Sequence, residues 1–205
     1  MEVSLYQTGP LYVNTYYAAD EKNRKGFLID PGGYDTGLAK KIKDENMSLE
    51  YIILTHGHGD HIGGVKEFMA EFPEAKLVAS KLEKEMLSNP NMNFSNYFGK
   101  ELKLTPDVYV EDGDILNVGE LELKFIHTPG HSPGGLCVLV EKILFSGDTL
   151  FSQSIGRTDF IGSSYDQLKE SIHEKLFVLP DDTRVLPGHM GETEIGVEKR
   201  LNPFV

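Results

Sequence analysis

Three imidazoles and a carboxylate fall within His56-Gly57-His58-Gly59-Asp60-His61, directly after the apolar run Tyr51-Ile52-Ile53-Leu54. These are the side chains that bind borderline divalent transition metals, and no sulfur sits among them. Three of the chain's seven histidines are gathered here, which weighs against a solvent-facing polar loop that is merely rich in histidine. His56 and His58, separated by one glycine, can face a single ion if the backbone between them is extended. Asp60 and His61 then lie on the following turn and can serve a second ion. The spacing is not the His-Glu-x-x-His of helical zinc proteases. Further donors follow at His131, Asp148 and His189, each beside a glycine. Each of these is weak alone: an isolated Asp148 would read as a turn residue bonded to its own backbone.

The elements around these residues put them where ligand sites occur. Alternating apolar residues over 3–8, 11–18 and 26–29 predict an opening meander, with turns at Gly9-Pro10 and Pro31-Gly32-Gly33. A helix from Thr36 follows, then a buried strand over 51–54. Val65, Phe68, Met69 and Phe72 fall at helical spacing before Pro73, so the histidine cluster sits at the carboxyl end of a strand and opens into a helix. Open α/β sheets place their ligands there. Residues 77–79 predict a short strand, and Ser80 to Glu83 has the spacing of a capping box for a short helix. Residues 89–105 are polar, with Phe94, Tyr97 and Phe98 embedded, and read as a long excursion over the site. Strands are predicted near 108–110, 121–126, 135–140, 143–145 and 184–186. A helix capped by Ser164 turns Tyr165, Leu168, Ile172 and Leu176 inward, and a last short helix starts at Glu192. Strands with interleaved helices in both halves predict two packed sheets with helices outside, an α+β and α/β mixture.

Composition narrows the partners. The chain has 205 residues, 40% of them hydrophobic, with no Pro/Gly/Ser-rich linker, so 1–205 is expected to form one domain. Its formal charge of −12 argues against nucleic-acid binding and against an anionic membrane surface. No window is long and apolar enough to span a bilayer, and the N-terminus lacks the pattern of a signal peptide, so a cytoplasmic location is expected. The single cysteine, Cys137, lies among alternating apolar residues and reads as a buried, inert thiol rather than a nucleophile.

Five segments taken together carry a resemblance. They are Asp30-Pro31-Gly32, the histidine cluster, His127 to Gly135, Phe145 to Phe151, and Leu186-Pro187-Gly188-His189. In this order they resemble the metallo-β-lactamase superfamily over nearly the whole chain. Within it, Gly147-Asp148-Thr149-Leu150-Phe151 through Ile155-Gly156-Arg157-Thr158-Asp159-Phe160 is similar to glyoxalase II, the hydroxyacylglutathione hydrolases. Full-length members carry a further helical domain, whereas this sequence ends at residue 205, so the expected match is to the short form. The resemblance implies a four-layer αββα sandwich. It implies that His56, His58 and His131 bind one divalent ion, that Asp60, His61 and His189 bind another, and that Asp148 bridges them. Zinc is the first expectation, with iron or manganese accepted by the same nitrogen and carboxylate donors. Asp30 matches a supporting position near the metals, although a turn aspartate before proline would look the same. His127 matches no ligand position and is expected to be structural, and His173 is expected on a surface.

The implied reaction is hydrolysis of a small hydroxyacyl thioester by metal-bound hydroxide, with Asp60 and Asp148 orienting it. A thiolate leaves without much protonation, since thiol pKa values lie near 8.5. Arg157, the only cation between Gly147 and Phe160, is expected to bind an anionic part of the substrate or else to pair with Asp159. One alternative is a persulfide dioxygenase, with His56, His131 and Asp148 as a facial triad on a single iron. Another is a hydrolase of a different ester, or a module that holds metal without turnover.

Overall fold

A computed structural model describes residues 1–205. Its first sheet runs β1 (Glu2–Thr8), β2 (Val13–Asp20), β3 (Lys25–Ile29), β4 (Ser48–Ile53), β5 (Lys76–Ser80) and β6 (Val108–Val110), hydrogen-bonded in that order. The opening meander is antiparallel, and β3 to β6 are parallel. The second sheet starts with β7 (Ile115–Val118), β8 (Leu121–His127), β9 (Leu136–Val140) and β10 (Ile143–Gly147), all antiparallel. A two-stranded hairpin, β11 (Leu150–Phe151) and β12 (Ser154–Ile155), stands beside it. The sheet is completed by β13 (Arg184–Pro187), parallel to β10, and by β14 (Thr193–Glu194) on its edge.

Strand periodicity builds three apolar layers. Successive side chains on a strand face opposite sides. On the first sheet, Tyr17, Leu28, Ile52 and Leu54 therefore point outward to α1 (Thr36–Asp44), the short α2 (Gly59–Ile62) and α3 (Val65–Glu71). Their neighbours Tyr16, Phe27, Ile29 and Ile53 point inward and meet Phe125, Val138, Phe145 and Leu186 of the second sheet. The far side of that sheet, with Cys137, Leu144 and Val185, packs on Leu168, Ile172, Leu176 and Ile195. A short α4 (Lys84–Ser88) follows β5, and the last layer is formed by α5 (Tyr165–Ser171), extended by a wider turn to Leu176, and α6 (Ile195–Leu201). Helix, sheet, sheet, helix is the four-layer αββα sandwich expected from the sequence. No helix is long and apolar enough to cross a membrane.

Some local expectations differ from what is observed. Tyr165 is not inward but 43% exposed, its hydroxyl donating to the Phe204 carbonyl at 2.6 Å, whereas Leu168, Ile172 and Leu176 are fully buried as predicted. The last helix begins at Ile195 rather than Glu192, after the unexpected edge strand β14. β7 was also unforeseen: its four residues alternate too briefly to stand out. Ser80 does cap the turn that follows, accepting from the Leu82 N–H at 3.2 Å. Its supposed partner Glu83 instead turns inward, with consequences described below. The excursion over 89–105 contains a single turn of 3-10 helix, Ser95–Phe98, held by buried Asn93 and Ser95. Cys137 is fully buried, and burial pushes its thiol up to about 11, in keeping with an inert side chain.

Candidate metal centre

Each candidate donor is delivered by the end of a strand. β4 ends at Ile53 and the chain stays extended at His58 (φ −67°, ψ 146°) before α2 carries Asp60 and His61. His131 lies in the loop from β8 to β9, Asp148 follows β10, and His189 follows β13. The parallel pairing of β10 with β13 brings the last two together. The crowding here is severe. Gly147 has a φ of +48°, and a Cβ there would overlap the Thr55 side chain. A Cβ on Gly188 would overlap Asp148 Oδ1 and the His61 ring, so only glycine fits.

Six of the seven donors converge in two groups of three. Donor atoms of His56, His58 and His131 lie within 4.8 Å of one another, and so do those of Asp60, His61 and His189. In the first group His58 Nδ1 and His131 Nε2 are 2.9 Å apart. In the second, Asp60 Oδ2 is 3.3 Å from His189 Nε2 and 3.6 Å from His61 Nε2. Asp148 stands between them: Oδ1 is 3.4 Å from His61 Nε2, while Oδ2 is 3.6 Å from His131 Nε2 and 3.7 Å from His189 Nε2. His127 is elsewhere, bonded through Nε2 to the Pro133 carbonyl at 3.0 Å, and His173 is exposed against Phe177.

The set fits divalent metal. His56 Nε2, His61 Nε2 and Asp148 Oδ1 are buried and have no hydrogen-bond partner. Leaving such groups unsatisfied costs about 1 to 3 kcal/mol each, and coordination would satisfy them. On His56, His61 and His131 the opposite ring nitrogen is occupied, as is usual for ligating histidines, whereas His58 Nε2 is buried without a partner. His61 Nδ1 meets Asp30 Oδ2 at 2.9 Å, His131 Nδ1 meets the Arg157 carbonyl at 2.8 Å, and His56 Nδ1 meets Thr55 Oγ1 at 3.1 Å. Asp30 is buried, adopts a φ of +47°, and also accepts from the Thr55 N–H at 2.8 Å and hydroxyl at 2.6 Å. It is a support for the centre rather than a solvent-facing turn residue.

Protonation follows burial and charge. Burial holds His56 well below the usual imidazole range and takes His58 down to about 3, the neighbouring imidazoles adding to both shifts. His131 is lowered too, burial outweighing the pull of Asp148. The neutral ring is the form that ligates metal. Burial opposes charge on His61 as well, yet Asp148, Asp60 and Asp30 outweigh it and raise this imidazole well above its ordinary value. A divalent ion among the same oxygens would take the place of that proton. Burial likewise works against charge on Asp148 and Asp60, but His61 and its neighbours hold both carboxylates ionised, below the usual range.

Two supports had no recognisable signal as such in the sequence. Glu83 is 1% exposed and accepts from the Gly57 N–H at 2.8 Å and the Gly134 N–H at 2.7 Å. It therefore clamps the loop of His56 and His58 to the loop of His131. Burial pushes its carboxyl up, and the two N–H bonds pull against that. The Arg157 carbonyl is the other. The Arg157 guanidinium is taken by Asp159 through bonds of 3.0 and 2.8 Å and lies 4.5 Å over the Phe160 ring. Because the contact to His131 is made by main chain, Arg157→Ala is expected to retain the full metal content. Elemental analysis of the variant checks this, and loss of metal would show that the side chain itself holds the centre.

The profile of the metallo-β-lactamase superfamily matches residues 8–189. The chain belongs to this superfamily. Among superfamily relatives, "Probable metallo-hydrolase YqgX" of Bacillus subtilis is 37% identical over 96% of this chain and 94% of its own length. "Hydroxyacylglutathione hydrolase GloC" of Haemophilus influenzae is 36% identical over 91% of this chain and 89% of its own. The crystal structure of the BLEG-1 B3 metallo-β-lactamase superposes with a TM-score of 0.91 at 36% identity, covering 99% of both chains. That of TTHA1623 in a di-iron-bound form gives 0.85 at 30%, covering 98% of this chain and all of the other. The superfamily is one of metallo-hydrolases, and the short glyoxalase II-like form expected from the sequence is consistent with these relatives.

Proposed function

We propose that this chain is a hydrolase of hydroxyacyl thioesters that works with two divalent metal ions, residues 1–205 acting as one catalytic domain. The observation that carries the reading is the placement of Asp148, whose Oδ2 lies between His131 of one donor group and His189 of the other while Oδ1 faces His61. A single-ion site would not need Asp60, His61 and His189 assembled beside the first triad. The name of the Haemophilus relative supports the substrate class, and the di-iron form of TTHA1623 supports a paired centre. Zinc remains the expected metal, with iron or manganese suited to the same ligands.

When bound, such ions supply an acidified water and a Lewis acid for the carbonyl oxygen. His56, His58 and His131 would hold the first ion, Asp60, His61 and His189 the second, and Asp148 both. Asp60 Oδ2 and Asp148 Oδ2 offer acceptors for the proton of the attacking water. Thr55, Asp30 and the Arg157 carbonyl keep the imidazoles from rotating, so the donors need no rearrangement at the moment of reaction. Phe94 and Phe160, with centroids 5.6 and 4.9 Å from the His58 ring, keep bulk water from one side. No general acid is required, because a thiolate is a good leaving group at neutral pH.

The purified, metal-loaded protein is expected to release thiol from S-lactoylglutathione and to lose that activity on chelation. Oxygen consumption with glutathione persulfide, and no thiol release from the ester, would overturn the hydrolase in favour of a dioxygenase.

A further inference from the structure

The walls of the cleft above the donors say more about the substrate than the donors do. The cleft encloses about 610 Å³. On the side of His58 and His131 it is walled by Phe94, Tyr97 and Phe160, with Phe94 and Phe160 centroids 5.3 Å apart. On the side of His189 it is walled by Leu11, Phe151 and Met190. Several of these side chains are left in water: Tyr97 is 78% exposed, Met190 57% and Leu11 51%. Exposing large apolar groups in a ring around one opening has a cost that binding an apolar ligand would recover.

The backbone holds this rim in place. Phe94 (φ +62°) and Met190 (φ +67°) both adopt the left-handed region, which is unfavourable for side chains of this size. Met190 is fixed there by Asn14, whose Nδ2 donates to its carbonyl at 2.8 Å and to that of Pro187 at 3.0 Å. Phe94 is fixed by Asn93, whose Oδ1 accepts from the Ser95 N–H at 2.9 Å, and the Gly59 N–H is bonded to the Asn93 carbonyl at 2.5 Å. Both strained residues send an apolar side chain to the mouth of the cleft.

Charge is missing from the same walls. Arg157 is the only lysine or arginine lining the cleft, and the Nε and Nη2 edge of its guanidinium is paired with Asp159. The acidic groups that line it, Asp60 and Asp148, belong to the metal centre. A thiol carrying carboxylates, such as glutathione, meets there a single cation whose charge Asp159 already offsets.

We propose that the cleft selects thioesters whose acyl chain is apolar and larger than lactoyl, carried on a thiol that need not be charged. This rests on the thioesterase reading and narrows its substrate. The test is a series of 2-hydroxyacyl esters of N-acetylcysteamine from lactoyl to 2-hydroxyoctanoyl, with mandeloyl, and S-lactoylglutathione beside the lactoyl ester. kcat/KM is expected to rise about twofold to fourfold per added methylene before levelling, as burial of apolar surface requires. The two lactoyl esters are expected to agree within a few-fold. Tyr97→Ser is expected to cut the ratio of 2-hydroxyoctanoyl to lactoyl turnover at least threefold. A flat series, or a tenfold preference for the glutathione ester, would overturn the proposal while leaving thioester hydrolysis intact. Calorimetry with the thioethers S-ethyl- and S-hexyl-N-acetylcysteamine, which cannot be hydrolysed, separates the two readings. Tighter binding of the hexyl compound with no ester cleaved would sink the thioesterase and keep the apolar cleft, whereas equal binding of the two would count against the cleft.

Discussion

Asp148→Asn is expected to reduce kcat/KM by about a thousandfold or more and to leave fewer than two metal ions per chain. The amide has the same shape, so packing survives, but one of its two ends must be an N–H₂ donor. Oδ1 faces His61 and Oδ2 faces His131 and His189, so either orientation turns a donor toward metal-binding nitrogens of at least one group. An interaction worth several kcal/mol corresponds to the expected rate loss. Metal analysis beside steady-state kinetics decides it. Two retained ions with activity within tenfold of the parent would show that Asp148 does not lie between them.

Glu83→Ala is expected to lower the unfolding free energy by about 3 kcal/mol, because it strands the buried N–H groups of Gly57 and Gly134 at about 1 to 3 kcal/mol each. The same change frees the two loops that carry His56, His58 and His131 from one another. Loss of an outer support of this kind weakens metal binding by about 10- to 100-fold. Urea denaturation gives the first number and competition with a chromogenic chelator the second. A change below about 0.5 kcal/mol with unaltered metal affinity would mean that Glu83 clamps nothing.

The contrast between Asp148 and Glu83 marks what a sequence shows. Donors at His56, His58, Asp60 and His61 were legible because local spacing alone nearly defines a binding loop. His131, Asp148 and His189 were legible only through their order and their glycines, since their approach depends on strand pairing far apart in the chain. Two packed sheets with helices outside could be read from the order of the elements, and the resemblance implied the αββα layering, in which Tyr16 and Tyr17, or Ile52 and Ile53, sort to opposite cores. Glu83 was not legible, because Ser80 three residues earlier offers a complete local explanation of it. Its real partners lie 26 and 51 residues away. The Arg157 carbonyl could not be read at all: a main-chain acceptor has no residue type. Tyr165 shows the reverse error, a helical period that continues one residue beyond the buried face.

The most direct test of the paired centre is a crystal structure of the metal-loaded protein with anomalous diffraction measured at the metal's absorption edge. Two ions per chain are expected, one held by His56, His58 and His131 and one by Asp60, His61 and His189, with Asp148 touching both. A single ion on His56, His131 and Asp148 with the other donors free, or no ion at these side chains, would contradict it.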